Sequence, residues 1–98
     1  MKTIWITGGS SGIGLSCAKK FLKEKWCVII SSSNEKKLLE AKSKIGKQLN
    51  SENLHILKCD ISKKTEVEKV LLNIETNISK IDLALLNAAA YSPNKNQN

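Results

Sequence analysis

Four short apolar runs alternate along the chain with three longer segments in which apolar side chains recur at helical spacing. The runs cover residues 3–6, 27–30, 54–57 and 83–86, and each predicts a β-strand. Because these runs are apolar at successive positions, both faces of the resulting sheet are expected to be covered, as in a parallel sheet packed between helices.

The three longer segments predict amphipathic helices. Their apolar stripes are Ile13, Cys17, Phe21 and Leu22 in the first, Leu38, Ala41, Ile45 and Leu49 in the second, and Val67, Val70, Leu71, Ile74 and Ile78 in the third. Ser33 or Asn34 is expected to cap the second helix and Ser62 the third, because the side-chain oxygens of Ser and Asn accept hydrogen bonds from the first free N–H groups of a helix.

The element order β-α-β-α-β-α-β predicts an α/β fold, a Rossmann-like doubly wound parallel sheet with strand order 3-2-1-4. A chain of 98 residues has room for one domain only. We assign residues 1–91 to this domain and residues 92–98 to a polar tail. Hydrophobic residues make up 41% of the chain and charged residues 26%, a composition that excludes the disordered class of protein.

Neither a membrane span nor a secretory signal is expected. No apolar run reaches the roughly 18 residues that a membrane helix needs, and the amino-terminal run is shorter than the apolar stretch of about 7–15 residues in a signal peptide. The three cysteines, Cys17, Cys27 and Cys59, are odd in number and lack C-x-x-C spacing. We therefore expect buried, reduced thiols and a cytoplasmic protein.

The positive charge of the chain is carried by lysine alone. All 16 basic residues are lysines and the net charge is +7, with nine lysines against three glutamates in residues 19–47. Such a patch attracts phosphates, but it also describes solvated helix faces. The four aromatic residues are not interleaved with the lysines as a base-stacking surface requires, so no nucleic-acid partner is expected.

Four of the five glycines lie in residues 8–14, directly after the first predicted strand and at the start of the first predicted helix. The stretch reads Thr7-Gly8-Gly9-Ser10-Ser11-Gly12-Ile13-Gly14. Glycine at position 8 permits a sharp turn, glycine at position 12 lets the backbone approach a pyrophosphate, and glycine at position 14 lets the helix pack closely on the strand. Free N–H groups at the helix start then face the anion, although a tight turn without a ligand would need glycines too.

The pattern T-G-x-x-x-G-I-G, which Thr7, Gly8, Gly12, Ile13 and Gly14 match, resembles that of the short-chain dehydrogenase/reductase family. The resemblance covers residues 1 to about 91 and corresponds to the amino-terminal, cofactor-binding half of a family member. It implies that Asp60 and Ile61, after the third strand, hold the adenine. It also implies that Asn87 and Ala88, which match part of the family's Asn-Asn-Ala-Gly motif, lie beside the cofactor after the fourth strand.

The end of the second predicted strand, Ile30-Ser31-Ser32-Ser33-Asn34, carries no carboxylate before Glu35. A carboxylate there would bind the ribose hydroxyls of NAD and repel the 2′-phosphate of NADP, so its absence favours NADP over NAD. The cofactor-binding residues predicted in this way are Gly8, Ser10, Ser11, Gly12, Ile13, Gly14, Ser32, Ser33, Asn34, Lys37, Asp60, Ile61, Asn87 and Ala88.

No catalytic residue and no metal site is assigned. The resemblance implies hydride transfer between a nicotinamide and a carbonyl or alcohol, but the family's Ser and helical Tyr-x-x-x-Lys lie far beyond this stretch. Tyr91 and Lys95 have the same spacing, but Pro93 between them disfavours the helix that would align their side chains. His55 stands alone in a strand pattern and is expected to be structural or exposed.

The leading hypothesis is the NAD(P)-binding portion of a short-chain dehydrogenase/reductase that stops before the catalytic half. The alternative is a non-catalytic module that senses a dinucleotide, completed by a partner chain. A third reading is an interaction or nucleic-acid-binding protein in which the glycine loop is accidental. If the sheet ends at the fourth strand, the open edge of that strand is expected to promote self-association.

Overall fold

The computed structural model describes residues 1–8 and 12–86, and these residues form the seven predicted elements in the predicted order. The elements are β1 (Thr3–Thr7), α1 (Gly12–Lys23), β2 (Cys27–Ser32), α2 (Glu35–Gln48), β3 (Leu54–Lys58), α3 (Lys64–Asn77) and β4 (Leu83–Leu86). The first three strands extend past their apolar runs into polar residues, because backbone pairing continues where the side chains are no longer apolar.

The four strands form one parallel sheet in the order β3-β2-β1-β4, which confirms the predicted topology. β1 lies in the interior of the sheet and pairs with β2 from Thr3 opposite Cys27 to Thr7 opposite Ser31. Because all strands run in the same direction, their carboxyl ends, with the loops that follow them, meet at one edge of the sheet.

Alternate residues of β1 and β2 face two separate apolar clusters, one on each side of the sheet. The first cluster lies under α1 and α2, and its buried residues are Ile4, Ile6, Ala18, Leu22, Val28, Ile30, Leu38, Ala41, Ile45 and Leu54. The second lies under α3, and its buried residues are Trp5, Cys27, Ile29, Cys59 and Ile74. Both faces of these two strands are therefore covered, as predicted.

The buried face of α1 differs from the predicted stripe. Gly14, Ala18 and Leu22 are buried, whereas Ile13 is 76% exposed and Cys17 is only half-buried. Small residues at two of the three buried positions allow a helix backbone to lie close to the sheet, so the apolar character of a side chain did not identify the contact face.

The prediction for α2 is confirmed at both its cap and its core face. Asn34 is the N-cap, and its side-chain oxygen accepts a hydrogen bond from the Lys37 N–H at 3.1 Å. Leu38, Ala41 and Ile45 are buried. One apolar stripe and one local side-chain bond thus specify this helix.

The prediction for α3 is wrong at its start and incomplete along its stripe. Lys63, not Ser62, is the N-cap, and it makes no side-chain capping bond because an ammonium group cannot accept one. The Ser62 hydroxyl donates to Asp60 instead. Only Ile74 of the predicted stripe is fully buried, and Leu71 is 38% exposed.

The expectation that both faces of the sheet are covered does not hold for β4. Leu83 is 45% and Leu86 is 65% exposed, and β1 is the only strand that β4 pairs with among the described residues. Within that same part of the chain, no helix combines the length and apolar character that crossing a membrane requires.

Candidate functional site

The carboxyl edge of the sheet brings together three of the predicted segments. These are the turn at Gly8 after β1, the Ser32–Asn34 stretch at the end of β2 and the Asp60 turn after β3. The bonds that join them run through consecutive residues of β2: the Ser31 carbonyl accepts the Gly8 N–H at 2.7 Å, and the Ser32 carbonyl accepts the Cys59 N–H at 2.9 Å. The end of β2 therefore anchors the loops of both neighbouring strands.

The glycine turn requires glycine at two of its positions. Gly8 has φ 72° and Gly12 has φ 60°, both in the left-handed region that side chains disfavour. Gly12 begins α1, and among the described residues, leaving aside its chain neighbours and the backbone of α1 itself, no atom would lie within 4 Å of a Cβ added to it. The described residues therefore leave the space beside this helix start open to a ligand.

The electrostatics of this helix start suit an anion. The first turn of α1 contains no acidic residue, and its N–H groups have no partners within the helix. Gly14 is buried, and Ile13, next to Gly12 in the chain, is exposed. These features fit a pyrophosphate, whose charge would be met by backbone donors.

The β2–α2 connection is ordered by its own side chains. The Ser32 hydroxyl oxygen accepts the Asn34 N–H at 3.1 Å, and Asn34 caps α2 as described above. Ser33 and Lys37 are exposed at the start of this helix. Glu35 is the first acidic residue after β2 and occupies the first turn of α2.

The carboxylate of Asp60 accepts two hydrogen bonds from Ser62, one from the hydroxyl at 2.6 Å and one from the N–H at 3.0 Å. These bonds, the hydroxyl foremost, hold the pKa of Asp60 below its usual range, and Lys63 adds a smaller effect. The Asp60 N–H donates to the carboxylate of Glu66 at 3.0 Å. Asp60 is thus ionised at neutral pH and fixed in orientation, with Ile61 exposed beside it.

Sequence reasoning missed three residues that order this edge: Trp5, Ser31 and Glu66. The Trp5 indole N–H donates to the Ser31 hydroxyl oxygen at 2.8 Å inside the core. Ser31 directly follows the apolar run of β2 and precedes further polar residues, so no distinct signal for this bond was present in the sequence. Glu66 occupies the first turn of α3, where an acidic residue is common for helix-dipole reasons alone.

Some predicted residues lie outside the described part of the chain. They are Ser10, Ser11, Asn87 and Ala88, together with Tyr91, Lys95 and the tail assigned to residues 92–98. A recess of about 280 Å³ between the carboxyl ends of α1 and α2 lies at the opposite edge of the sheet, and none of the predicted cofactor-binding residues lines it.

Comparison with known proteins agrees with this arrangement. The family model for short chain dehydrogenase matches residues 2–98. A curated relative, (-)-isopiperitenone reductase of Mentha piperita, is 34% identical over 85 residues, which are 85% of this chain and 27% of that protein.

Two solved structures share the fold over most of this chain. A short chain dehydrogenase from Bacillus anthracis is 34% identical with a TM-score of 0.80, covering 90% of this chain and 34% of its own. Menthone neomenthol reductase from Mentha piperita is 27% identical with a TM-score of 0.81, covering 89% of this chain and 31% of its own. The chain thus spans about a third or less of the length of each of these three proteins. Since the family model nonetheless matches nearly every residue present, the chain belongs to the short-chain dehydrogenase family.

Proposed function

We propose that the chain binds a nicotinamide dinucleotide at the carboxyl edge of its sheet, as the cofactor-binding part of an oxidoreductase. The reaction is hydride transfer between the nicotinamide and a carbonyl or alcohol. The observation that carries this proposal is Gly12, whose left-handed backbone opens α1 beside a space that the other described residues leave open. In that space the pyrophosphate would accept hydrogen bonds from the first N–H groups of α1.

The other predicted residues complete the proposed site. Asp60 and Ile61 would hold the adenine, since the Asp60 turn is bonded to the end of β2 and so lies on the same edge as the glycine turn. Ser10, Ser11, Asn87 and Ala88 remain predictions from the motifs. The relatives named above are reductases and dehydrogenases, which favours an oxidoreductase over a module that only senses a dinucleotide.

NADP is the proposed cofactor in preference to NAD. The support is the β2–α2 connection, where Ser32, Ser33 and the cap residue Asn34 precede any carboxylate and Lys37 lies in the first helical turn. Hydroxyl groups, helix N–H groups and a lysine would together favour a 2′-phosphate. Titration of the wild-type chain with NADPH and with NADH tests this cofactor preference, and tighter binding of NADH would contradict it.

A cytoplasmic location is also proposed, because Cys17, Cys27 and Cys59 are all free thiols. Burial raises the pKa of both Cys27 and Cys59, which keeps them protonated and unreactive. The dinucleotide is the proposed partner, with self-association through β4 as a second interaction.

Gly12→Val tests the proposed site. The branched side chain would occupy the open space beside the start of α1 and would disfavour the left-handed φ of 60° at this position, so calorimetric titration with NADPH or NADH is expected to show no binding. Gly46→Val is the matched control, because Gly46 is exposed on α2 and a Cβ there would make only an ordinary contact with Ser51. Circular dichroism establishes that both variants are folded.

Two results would count against the proposal. One is unchanged dinucleotide affinity in folded Gly12→Val. The other is the absence of binding of either coenzyme by the wild-type chain.

A further inference from the structure

A buried hydrogen bond joins the interiors of β1 and β2 just below the glycine turn. The Trp5 side chain is 4% exposed and that of Ser31 is fully buried, and the indole N–H donates to the Ser31 hydroxyl oxygen at 2.8 Å. Ser31 lies opposite Thr7 in the sheet, so Trp5 reaches it diagonally across the two strands. Since a buried indole N–H needs a partner, Ser31 fixes the orientation of this ring.

Ser31 also holds the start of the glycine turn, through its backbone carbonyl. Its carbonyl accepts the Gly8 N–H at 2.7 Å, and Gly8 has a left-handed φ of 72°. Glycine populates several backbone regions with little preference, so this turn depends on external bonds for a single conformation.

Trp5 is itself held by the packing of α3. The indole belongs to the buried cluster that includes Cys59 and Ile74, and Val67 and Val70 pack against that cluster. The contacts therefore continue from α3 through Trp5 and Ser31 to Gly8.

We propose that Trp5 is a positioning residue for the dinucleotide-binding turn. Its indole N–H holds Ser31 in place, and Ser31 in turn holds Gly8 in the conformation that the bound pyrophosphate requires. Pre-ordering the turn lowers the entropy that is lost when the dinucleotide binds, so the Trp5–Ser31 bond contributes to affinity without touching the ligand. This inference rests on the function proposed above.

Three variants test the inference: Trp5→Phe, Ser31→Ala and the double variant. The dissociation constant for NADPH is measured for each at a temperature where circular dichroism shows it fully folded. Each single variant is expected to weaken binding by about three- to tenfold, as would follow if the turn of the free variant occupied the binding conformation only about a tenth to a third of the time. Because both substitutions remove the same bond, the double variant should bind no more weakly than the weaker single variant.

Trp26→Phe is the matched control. Trp26 is half-buried and packs edge-on against Phe21 with ring centroids 4.8 Å apart, near the start of β2 and away from the glycine turn. Its replacement is expected to lower stability but to leave the dissociation constant unchanged. A role of Trp5 in stability alone would make the two tryptophan variants behave alike in binding.

Wild-type affinity in folded Trp5→Phe or Ser31→Ala would overturn the inference, as would a double variant whose loss is the product of the two single losses. Absence of binding by the wild-type chain would instead contradict the proposed function. If the variants do not fold, ¹⁵N-resolved titration of the wild-type chain decides the matter. The Trp5 indole and Gly8 amide signals should shift with one midpoint while the Trp26 indole signal stays in place, and an unshifted Trp5 signal would overturn the inference.

Discussion

Asp60 illustrates what a single residue contributes at this edge of the sheet. Its position after a strand predicted a ligand-binding or turn residue, and the structure shows a carboxylate that accepts both donors of Ser62 and stays ionised. Ser62 was predicted as a helix cap and instead orients the proposed adenine-binding residue. Both roles use a hydroxyl near a helix start, and only the three-dimensional path of the turn distinguishes them.

Asp60→Asn is expected to make stability less dependent on pH in the acid range. The folded-state pKa of Asp60 lies below its unfolded value of about 3.9, so its stabilising contribution is fully present above that value and is lost as the pH falls through the folded pKa. The variant should therefore be less stable than wild type at neutral pH, and the difference should shrink below about pH 4. Urea unfolding across this pH range measures the difference.

Ser62→Ala provides the second part of this test. Removing the hydroxyl, which has the largest influence on the Asp60 carboxyl, should move its titration midpoint upward in an NMR titration. A midpoint that stays in place, or a stability difference that persists in strong acid, would contradict the account of Asp60.

The helix α1 ends in a left-handed turn residue that is a lysine, although glycine is usual at such a position. The Lys25 N–H donates to the Leu22 carbonyl and the Trp26 N–H to the Phe21 carbonyl, which is the Schellman arrangement. Phe21 and Trp26 supply the apolar contact that accompanies it. Lys25 has φ 69°, where glycine is usual, and the sequence carries no glycine at this position.

Lys25→Gly is expected to raise the free energy of unfolding by about 1 kcal/mol. The left-handed backbone costs a side chain about 1–2 kcal/mol, and part of this gain is offset by the greater freedom of glycine in the unfolded chain. Urea denaturation measures the change. In the control Lys20→Gly, an exposed position inside the same helix, the free energy should fall by about 1 kcal/mol. If both variants changed the free energy of unfolding in the same direction, the left-handed backbone of Lys25 would not be the cause.

At the scale of elements, the sequence predicted which helices and strands exist, and in what order, better than it predicted which face of a helix is buried. The alternation of apolar runs and helical stripes specified all seven elements, because both periodicities are local. The prediction of the buried face of α1 was wrong, because Gly14 and Ala18 give little apolar signal although both are buried in the structure.

The whole molecule is asymmetric in its exposed apolar surface. β2 is fully buried except at its last residue, whereas β4 leaves Leu83 and Leu86 largely exposed at the far edge. β4 contains neither lysine nor proline, the residues that commonly protect an edge strand. The net charge of +7 opposes close approach of two copies at low ionic strength.

Concentration-dependent self-association through β4 is therefore expected, and it should increase with salt as the charge is screened. Sedimentation velocity over a range of concentrations measures it. Leu86→Lys should reduce association by placing a charge on the edge strand, whereas the control Leu39→Lys, an exposed leucine on α2, should not. A chain that stays monomeric at every concentration and salt level would contradict this expectation.

The sequence by itself determined the alternation of elements, the strand order and the position of the glycine turn. These features depend on local periodicity, on the fixed handedness of crossovers and on backbone angles open mainly to glycine. The tertiary structure decided which face of α1 is buried, what Ser62 bonds to, and that Trp5 meets Ser31, a residue 26 positions away. Such contacts depend on packing between elements that are distant in the chain, and no local pattern encodes them.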